Sequence, residues 1–202
     1  MKDIIVVDNF YKDPFSVRQM ALEQKYIYYE PSWYSTSIRV RRGFLVDNPV
    51  VGFKYNDANV IGLIESAIEG KVNTQTWYTA GDGWNGAFHT KYNNSNHVDV
   101  IHHHFKSGDC EHGYSGVVYL NQYPIENSGT KIWKNKLTNS IHGDFGPYFV
   151  EPSDNWEIYH HIENKFNRLV LFKGDVFHSG DAGFGSTLDD CRLFQTFFFN
   201  VL

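Results

Sequence analysis

Residues 167–178 read NRLVLFKGDVFH, and residues 192–199 read RLFQTFFF. Both stretches are rich in the aromatic and branched apolar side chains that favour β-strands. Gly174 and Asp175 divide the first stretch at a turn, and a polar loop separates it from the second. His178 ends the first stretch and Arg192 opens the second. The C-terminal third therefore predicts strands that carry two polar side chains at their ends.

The first part of the chain has the signals of two helices. Asp13 followed by Pro14 is typical of a helix start, and the amphipathic pattern continues to about Lys25. Asp57 is predicted to cap a second helix, which ends at Gly70 as the glycine just past its last turn. The aromatic segment between the helices, residues 26–50, is predicted to be irregular. It is a candidate substrate loop, or else it packs against the rest of the fold.

From residue 72 onward the pattern changes to short alternating segments between Gly, Asn and Asp turns. These segments, the first at residues 72–78, predict seven or more strands. Residues 134–166 interrupt them as a long excursion, in which residues 156–161 are predicted to form a helical turn. Two helices followed by many strands indicate a mainly β fold with flanking helices, namely a jelly roll or cupin-like double-stranded β-helix.

The chain has 202 residues, which is enough for one well-buried domain. We therefore expect residues 1–202 to form a single domain. Residues 1–70 would supply a helical flank and the first strands, and residues 71–202 the double-stranded β-helix core.

The net charge of -5 and the absence of a basic block give no support for broad nucleic-acid binding. The two cysteines, Cys110 and Cys191, form no CxxC pair and suit a reducing compartment. The apolar run at the N-terminus is too short for a signal peptide, and no stretch approaches the length of a membrane span. The expected location is the cytoplasm.

A run of histidines lies within a predicted strand at residues 98–105. Because side chains alternate along a strand, His102 and His104 share one face with two valines. Two imidazoles at positions i and i+2 can bind one metal ion, and His178 on a distant strand is the candidate third ligand. Three such ligands leave positions of a non-haem iron ion open. The sequence therefore predicts a metal site of His102, His104 and His178.

A competing pair lies on the other face of the same strand. His97 and Asp99 have the His-x-Asp spelling of a site with two histidines and one carboxylate. This choice would turn the valines of the strand outward. The pattern alone leaves both pairs open.

An arginine at the head of an apolar strand needs a partner if it points inward. For Arg192, a bound carboxylate matches the planar guanidinium, and Tyr119 could donate a second hydrogen bond to the same anion. The alternative for Arg192 is an edge position paired with Asp189 or Asp190. The alternative for Tyr119 is that of a packed aromatic in a core strand.

Several segments together carry a family likeness. They are IVVDNF at 5–10 with the following Asp13-Pro14, YSGVVYLN at 114–121, SGT at 128–130, NRLVLF at 167–172, and FH at 177–178 with RLFQTFFF at 192–199. With these segments, which touch most of the chain, the protein resembles the iron(II)/2-oxoglutarate-dependent dioxygenase superfamily. Within it, the chain is most similar to small prolyl-hydroxylase-like proteins of phage and marine bacterial type.

The resemblance implies a double-stranded β-helix that binds iron(II) through a His-x-Asp pair and a distal histidine. Here the distal histidine corresponds to His178 and the first ligand to His102. The resemblance also implies that 2-oxoglutarate places its C5 carboxylate on Arg192, with help from Tyr119.

The chain departs from the family pattern because His104 stands where the family has aspartate. Three explanations are open. His104 replaces the acid and gives three neutral ligands, or Asp99 is the acid and His97 its partner, or the site binds another metal. Three imidazoles would leave the ion its full positive charge.

Three functions follow from these patterns. The first is an iron(II)- and 2-oxoglutarate-dependent oxygenase that hydroxylates an unidentified small-molecule or peptidyl substrate. The second is a cupin-like three-histidine metal dioxygenase that does not use 2-oxoglutarate. The third is a non-catalytic binding protein on the same barrel.

Overall fold

The computed structural model describes residues 1–29, 40–44, 58–77, 85–93, 100–104, 113–143, 149–150 and 153–202. Two helices and twelve strands lie within these ranges. In chain order they are β1 (Ile4–Val7), α1 (Pro14–Leu22), β2 (Lys25–Tyr29), β3 (Val40–Phe44), α2 (Ala58–Ile68), β4 (Phe88–Lys91), β5 (Ile101–His102), β6 (Gly113–Tyr119), β7 (Thr130–Asn135), β8 (Phe149–Val150), β9 (Trp156–Ile162), β10 (Leu169–Lys173), β11 (His178–Gly180) and β12 (Arg192–Asn200).

The strands form two antiparallel sheets. The large sheet has the order β1-β10-β6-β12-β4-β3-β2, and the small sheet has the order β8-β5-β11-β7-β9. Because β4, β6, β10 and β12 lie in the large sheet and β5, β7, β9 and β11 in the small one, the chain passes repeatedly between the two sheets. This winding is that of a double-stranded β-helix. The predicted fold, mainly β with flanking helices, is confirmed.

The outer face of the large sheet packs against the helices. On β12, Leu193, Phe197 and Phe199 are fully buried in one cluster with Val17 of α1 and Ile64 of α2. The alternation of the strand sends every second side chain to this face. The apolar contacts of the two helices therefore cover one side of β12 and leave its other side to face the small sheet.

The inner face of the large sheet packs against the small sheet. Val117 of β6 and Val170 of β10 contact Ile132 of β7, and Phe194 of β12 packs at the side of this second cluster. Arg192 lies on the same face of β12 as Phe194, two residues away. The space between the sheets thus holds apolar side chains together with polar ones near the strand ends.

The first helix begins as the sequence predicts. Asp13 is the N-cap, and its carboxylate accepts hydrogen bonds from the Ser16 backbone at 3.1 Å and from the Ser16 hydroxyl at 2.5 Å. Pro14 occupies the first helical position, where its missing N–H costs nothing. The helix ends at Leu22, three residues before the predicted end at Lys25.

The second helix ends one residue earlier than its glycine suggested. The left-handed position after Ile68 belongs to Glu69, with φ of 54°, and Gly70 does not have a positive φ. The N–H of Gly70 donates to the carbonyl of Glu65 at 3.2 Å, which closes a Schellman-type end. The predicted cap, Asp57, lies outside the described residues.

Three local predictions were wrong. Residues 156–161 form part of strand β9 instead of a helical turn, because antiparallel pairing with β7 satisfies their backbone groups. Residues 72–77 contain a single bridge, Val72 to Val201, followed by turns. Within the segment 26–50, β2 and β3 pair with each other at the edge of the large sheet. Residues 30–39 and 45–50 lie outside the described residues, so the substrate-loop hypothesis is not tested.

Among the described residues, no helix is long and apolar enough to cross a membrane. The single domain over residues 1–202 stays a prediction.

Candidate metal and anion site

Three histidines meet near one end of the small sheet. His102 of β5 and His178 of β11 are directly opposite each other in the antiparallel register. His104 follows the end of β5, where its backbone N–H donates to the Gly174 carbonyl at 2.6 Å. One ring nitrogen from each of the three side chains lies within 4.8 Å of the others. The histidines predicted as metal ligands are therefore brought together.

The orientation of two of these rings is set within their own strands. Nδ1 of His102 lies 3.2 Å from the Val100 carbonyl, and Nδ1 of His178 lies 2.9 Å from the Val176 carbonyl. A carbonyl oxygen only accepts hydrogen bonds, so Nδ1 carries the proton in both rings. Each Nε2 then keeps its lone pair, which is the form that binds a metal. The spacing Val-x-His, which occurs twice in the sequence, was the available signal for this feature.

The surroundings keep the three rings uncharged. Burial lowers the pKa of His102 to about 4, and it lowers the pKa values of His104 and His178 well below their ordinary value. Repulsion between the neighbouring imidazolium forms acts in the same direction. Phe172 packs on His178 with ring centres 4.1 Å apart, and Phe198 packs on His104 at 5.1 Å. Neutral imidazoles in an apolar setting can bind a metal ion without first losing a proton.

The three nitrogens fit one transition-metal ion. Imidazole suits iron, zinc, copper and nickel, and three ligands on one side of an ion leave other positions open. The set of His102, His104 and His178 is the metal-type cluster found among the described residues. The alternative pair, His97 and Asp99, lies outside the described residues. His103 faces away from the cluster and is buried against Phe177, with ring centres 5.0 Å apart.

Arg192 lies on the inner face of the large sheet and is only 3% exposed. Its Nε donates to the Ser128 carbonyl at 2.8 Å and its Nη2 to the Gly129 carbonyl at 2.7 Å. The alternative pairing of Arg192 with an aspartate at the edge is wrong. Asp189 instead accepts from Arg18 at 3.0 Å, and Asp190 accepts from the backbone of its own loop.

Tyr119 joins Arg192 on this inner face. The guanidinium carbon of Arg192 lies 5.9 Å from the centre of the Tyr119 ring, and the Tyr119 hydroxyl is 2.6 Å from the hydroxyl oxygen of Thr130. Burial raises the pKa of Tyr119, and the adjacent Arg192 opposes this shift. Tyr119 is thus a neutral hydroxyl beside a buried cation. It is also a packed core aromatic, as the alternative interpretation predicts, and its hydrogen bond to a bound anion stays a prediction.

The histidines and the arginine occupy neighbouring parts of one inner surface. Gly180 is the next residue after His178 on the same face of β11. A Cβ atom on Gly180 would lie 3.2 Å from Nη1 of Arg192. Two residues of a strand span about 7 Å. The position of His178 and the position beside the guanidinium are therefore about 7 Å apart along β11, roughly the length of a short dicarboxylate.

Two polar residues of β4 that no sequence motif singled out also face this surface. Nε2 of His89 lies 2.8 Å from the Thr196 hydroxyl, and its ring stacks on Phe194 with centres 5.1 Å apart. Lys91 is directly opposite Arg192 in the register of β4 and β12. The signal was the alternation in the segment FHTK, which puts both residues on one face. The alternation alone does not show which face of β4 turns inward, because that depends on the strand with which β4 pairs.

The comparisons at the level of sequence match only part of the chain. A model described as a family of unknown function (DUF6445) matches residues 125–192, which is less than half of the chain. A search of curated protein sequences gives no significant match.

Two solved structures are similar over most of their length. The first is the epimerase SnoN in complex with Fe3+, alpha ketoglutarate and nogalamycin RO, with 12% identity, 98% of this chain and 79% of that chain covered, and a TM-score of 0.55. The second is HygX from Streptomyces hygroscopicus with nickel, 2-oxoglutarate and hygromycin B bound, with 11% identity, 98% and 83% covered, and a TM-score of 0.57. At such low identity the likeness shows a shared double-stranded β-helix.

Proposed function

We propose that this protein is an iron(II)- and 2-oxoglutarate-dependent oxygenase. In this proposal His102, His104 and His178 hold the iron, and Arg192 with Tyr119 binds the distal carboxylate of 2-oxoglutarate. The observation that carries it is the convergence of three neutral imidazoles, one of them on His178, while Gly180 on the same strand face, two residues further along β11, lies beside the buried guanidinium of Arg192. The metal and 2-oxoglutarate in the SnoN and HygX structures support the same assignment.

The residues of the chain would divide the work between them. When bound, iron with 2-oxoglutarate and oxygen supplies the oxidising chemistry that hydroxylates a C–H bond. The carbonyls of Val100 and Val176 fix the ring orientation of two ligands. Phe172 and Phe198 exclude water from the ligand side, and Arg192 orients the cosubstrate through its far carboxylate.

The substrate is proposed at the level of its class. SnoN and HygX were solved with nogalamycin RO and hygromycin B, which supports a small-molecule substrate here. A peptidyl substrate, as the prolyl-hydroxylase-like resemblance implies, is the alternative within the same proposal. The cytoplasmic location belongs to the proposal as well.

The test is an anaerobic titration with iron(II), with and without 2-oxoglutarate, followed by the visible charge-transfer band of a chelated 2-oxo acid. The wild type should develop the band, and His102→Ala or His178→Ala should weaken iron binding by at least about a hundredfold. His160→Ala is the matched control, because His160 is an exposed histidine of β9. A wild type that binds no iron would overturn the proposal. A band that survives His178→Ala would reject His178 as a ligand.

The replacement of the family aspartate by His104 favours a second candidate, a three-histidine dioxygenase that works without 2-oxoglutarate. Tight iron binding with no band after addition of 2-oxoglutarate would support it. The pair His97 and Asp99 is tested in the same titration. Loss of the band in Asp99→Ala but not in His104→Ala would move the metal to that pair.

A further inference from the structure

The large sheet carries a buried hydroxyl group that has no partner. Ser115 of β6 is 2% exposed, and its Oγ atom makes no hydrogen bond within the part of the chain that the structure describes. Burying a hydroxyl group without a hydrogen bond destabilises a folded protein. Such a group in a native fold therefore calls for an explanation other than stability.

Ser115 points into the space between the two sheets. Side chains alternate between the faces of a strand. Val117 and Tyr119, two and four residues further along β6, belong to the cluster between the sheets. Tyr114, next to Ser115, belongs instead to the cluster that packs against the helices. The Ser115 hydroxyl therefore lies on the same inner surface as the three histidines.

Two phenylalanines flank Ser115 on the neighbouring strands. Ser115 is directly opposite Phe172 of β10 on one side and Phe198 of β12 on the other. Directly opposite residues point to the same face, so these three side chains form one row. Phe172 packs on His178, and Phe198 packs on His104. The row therefore faces the histidine cluster, and the hydroxyl lies between the two phenyl rings that contact it.

The open positions of a metal ion in this cluster would face that row. His102 and His178 belong to the small sheet, and His104 directly follows β5 of the same sheet. Because their nitrogens approach an ion from one side, the remaining coordination positions lie toward the large sheet. Three neutral imidazoles leave the ion its full charge, which favours water or a small anion at these positions.

A ligand at these positions can accept a hydrogen bond from Ser115. The side chains of Phe172 and Phe198 have no polar atom, whereas serine has one O–H donor. A hydrogen bond to a charged acceptor is stronger in a site shielded from water than in water itself. The hydroxyl that destabilises the metal-free fold would thus be paired once the metal carries a ligand.

We propose that the Ser115 hydroxyl donates a hydrogen bond to an acceptor atom of the water or small anion that is bound on the metal ion. The inference rests on the metal-binding part of the proposed function and does not involve 2-oxoglutarate. It adds an anion-binding residue of the large sheet to the three histidines.

The test is a titration of the cobalt(II)-loaded protein with azide, followed through the visible absorption bands of the bound cobalt. No 2-oxoglutarate is added. Ser115→Ala should bind azide about tenfold more weakly than the wild type, because one hydrogen bond to a charged ligand is lost. Its affinity for cobalt(II) should stay within about threefold, because the histidines are unchanged. Ser115→Cys keeps the size of the side chain but has a weak donor, so its azide affinity should fall nearly as far.

A second measurement separates this role from a structural one. Removing an unpaired hydroxyl should stabilise the fold, so metal-free Ser115→Ala should melt about 2–4 °C higher than the wild type. The matched control is Ser179→Ala, the same change at a serine that is 1% exposed and lies on the other face of β11 from His178. Ser179 accepts a hydrogen bond from Nε1 of Trp133 at 2.9 Å. Ser179→Ala should therefore melt at a lower temperature and bind azide like the wild type.

Unchanged azide affinity in Ser115→Ala would overturn the inference. Wild-type azide affinity in Ser115→Cys would do the same, since it would mean that only the volume of the side chain matters. A metal-free Ser115→Ala protein that melts lower than the wild type, or fails to fold, would reveal a structural partner of the hydroxyl and would also count against the inference.

The failure of the proposed function has a different result. A wild type that binds no cobalt would reject the metal site, and with it both the proposed function and the role of Ser115. A wild type that binds cobalt and azide but not 2-oxoglutarate would reject only the proposed oxygenase, and the Ser115 variants would still decide the inference.

Discussion

The inner surface has a histidine end, made of His102, His104 and His178, and an arginine end, made of Arg192, Lys91 and Tyr119. The two ends are built differently. At the histidine end, two rings are oriented by carbonyls two residues earlier in the same chain segment. At the arginine end, the guanidinium donates to two carbonyls more than sixty positions away.

This difference indicates which end contributes more to the stability of the fold. The histidine rings are positioned by local strand geometry, so replacing one ring removes a ligand but leaves distant backbone groups paired. Arg192 satisfies buried carbonyls of a loop between β6 and β7, so its loss leaves those groups without a charged donor. We therefore expect substitutions at the two ends to affect different quantities.

The largest expected effect on stability comes from Arg192→Met. The Ser128 carbonyl loses its Arg192 donor, and the Gly129 carbonyl keeps only the backbone N–H of Asp181 at 3.1 Å. We expect the free energy of unfolding to fall by about 3 kcal/mol in denaturant titrations. The affinity for iron(II) should stay within about threefold of the wild type, because the histidines are oriented independently.

The matched control is Arg168→Met. Arg168 also donates to a backbone carbonyl, that of Glu163 at 3.1 Å, but it is partly exposed. Arg168→Met should lower the free energy of unfolding by about 1 kcal/mol. Equal losses in the two variants would contradict the contrast between the ends.

The histidine end should instead control how stability depends on pH. The pKa of His102 is about 4 in the folded protein and 6.5 when unperturbed. Between these values the unfolded chain binds more protons, so stability falls as the pH falls. Between pH 7 and pH 5, we expect His102 alone to lower the free energy of unfolding of the metal-free protein by about 2 kcal/mol.

His102→Gln, which is polar but does not titrate, should reduce the loss of unfolding free energy over this pH range by that amount. His160→Gln is the control at an exposed histidine and should leave the pH dependence unchanged. A His102→Gln protein with the full wild-type pH dependence would show that this ring is not held neutral by burial.

The smallest expected effect lies away from both ends and serves as a reference. Asp8 accepts from Nε of Arg168 at 2.6 Å and from Nζ of Lys165 at 2.7 Å, and these hydrogen bonds lower its pKa to about 2. A lowered carboxyl pKa gives stability that is full above pH 4 and is lost as the pH falls through 2.

Because this ion pair is partly exposed, Asp8→Asn should cost only about 1 kcal/mol at pH 7. It should also remove the part of the acid transition between pH 4 and pH 2. If Asp8→Asn lowered the free energy of unfolding more than Arg192→Met does, the expected order of the two effects would be wrong.

Much of the fold could be predicted because it depends on local patterns. The alternation in residues 192–199 indicated a strand, and Asp13-Pro14 indicated a helix start, since both signals involve residues close in the chain. Residues 156–161 were mispredicted because the pairing with β7 determines their conformation. Glu69 took the left-handed position expected of Gly70, because the helix ended at Ile68.

Part of the candidate site could also be predicted from the sequence. The sequence singled out His102, His104, His178, Arg192 and Tyr119, and the structure brings these residues onto one inner surface. Lys91 and His89 carried no recognisable motif. Their position on that surface follows from the register between β4 and β12, which joins residues about a hundred positions apart.

The sequence by itself determined the strand-rich character of the chain, the face of each strand that bears polar groups, and the Val-x-His spacing that orients two rings. These features follow from alternation and from hydrogen bonds within a few residues. Only the tertiary structure decided that His102 stands opposite His178, that Arg192 binds the carbonyls of Ser128 and Gly129, and that Lys91 lies beside it. The physical reason is that sheet register and the burial of charge are set by contacts between segments that are distant in the chain.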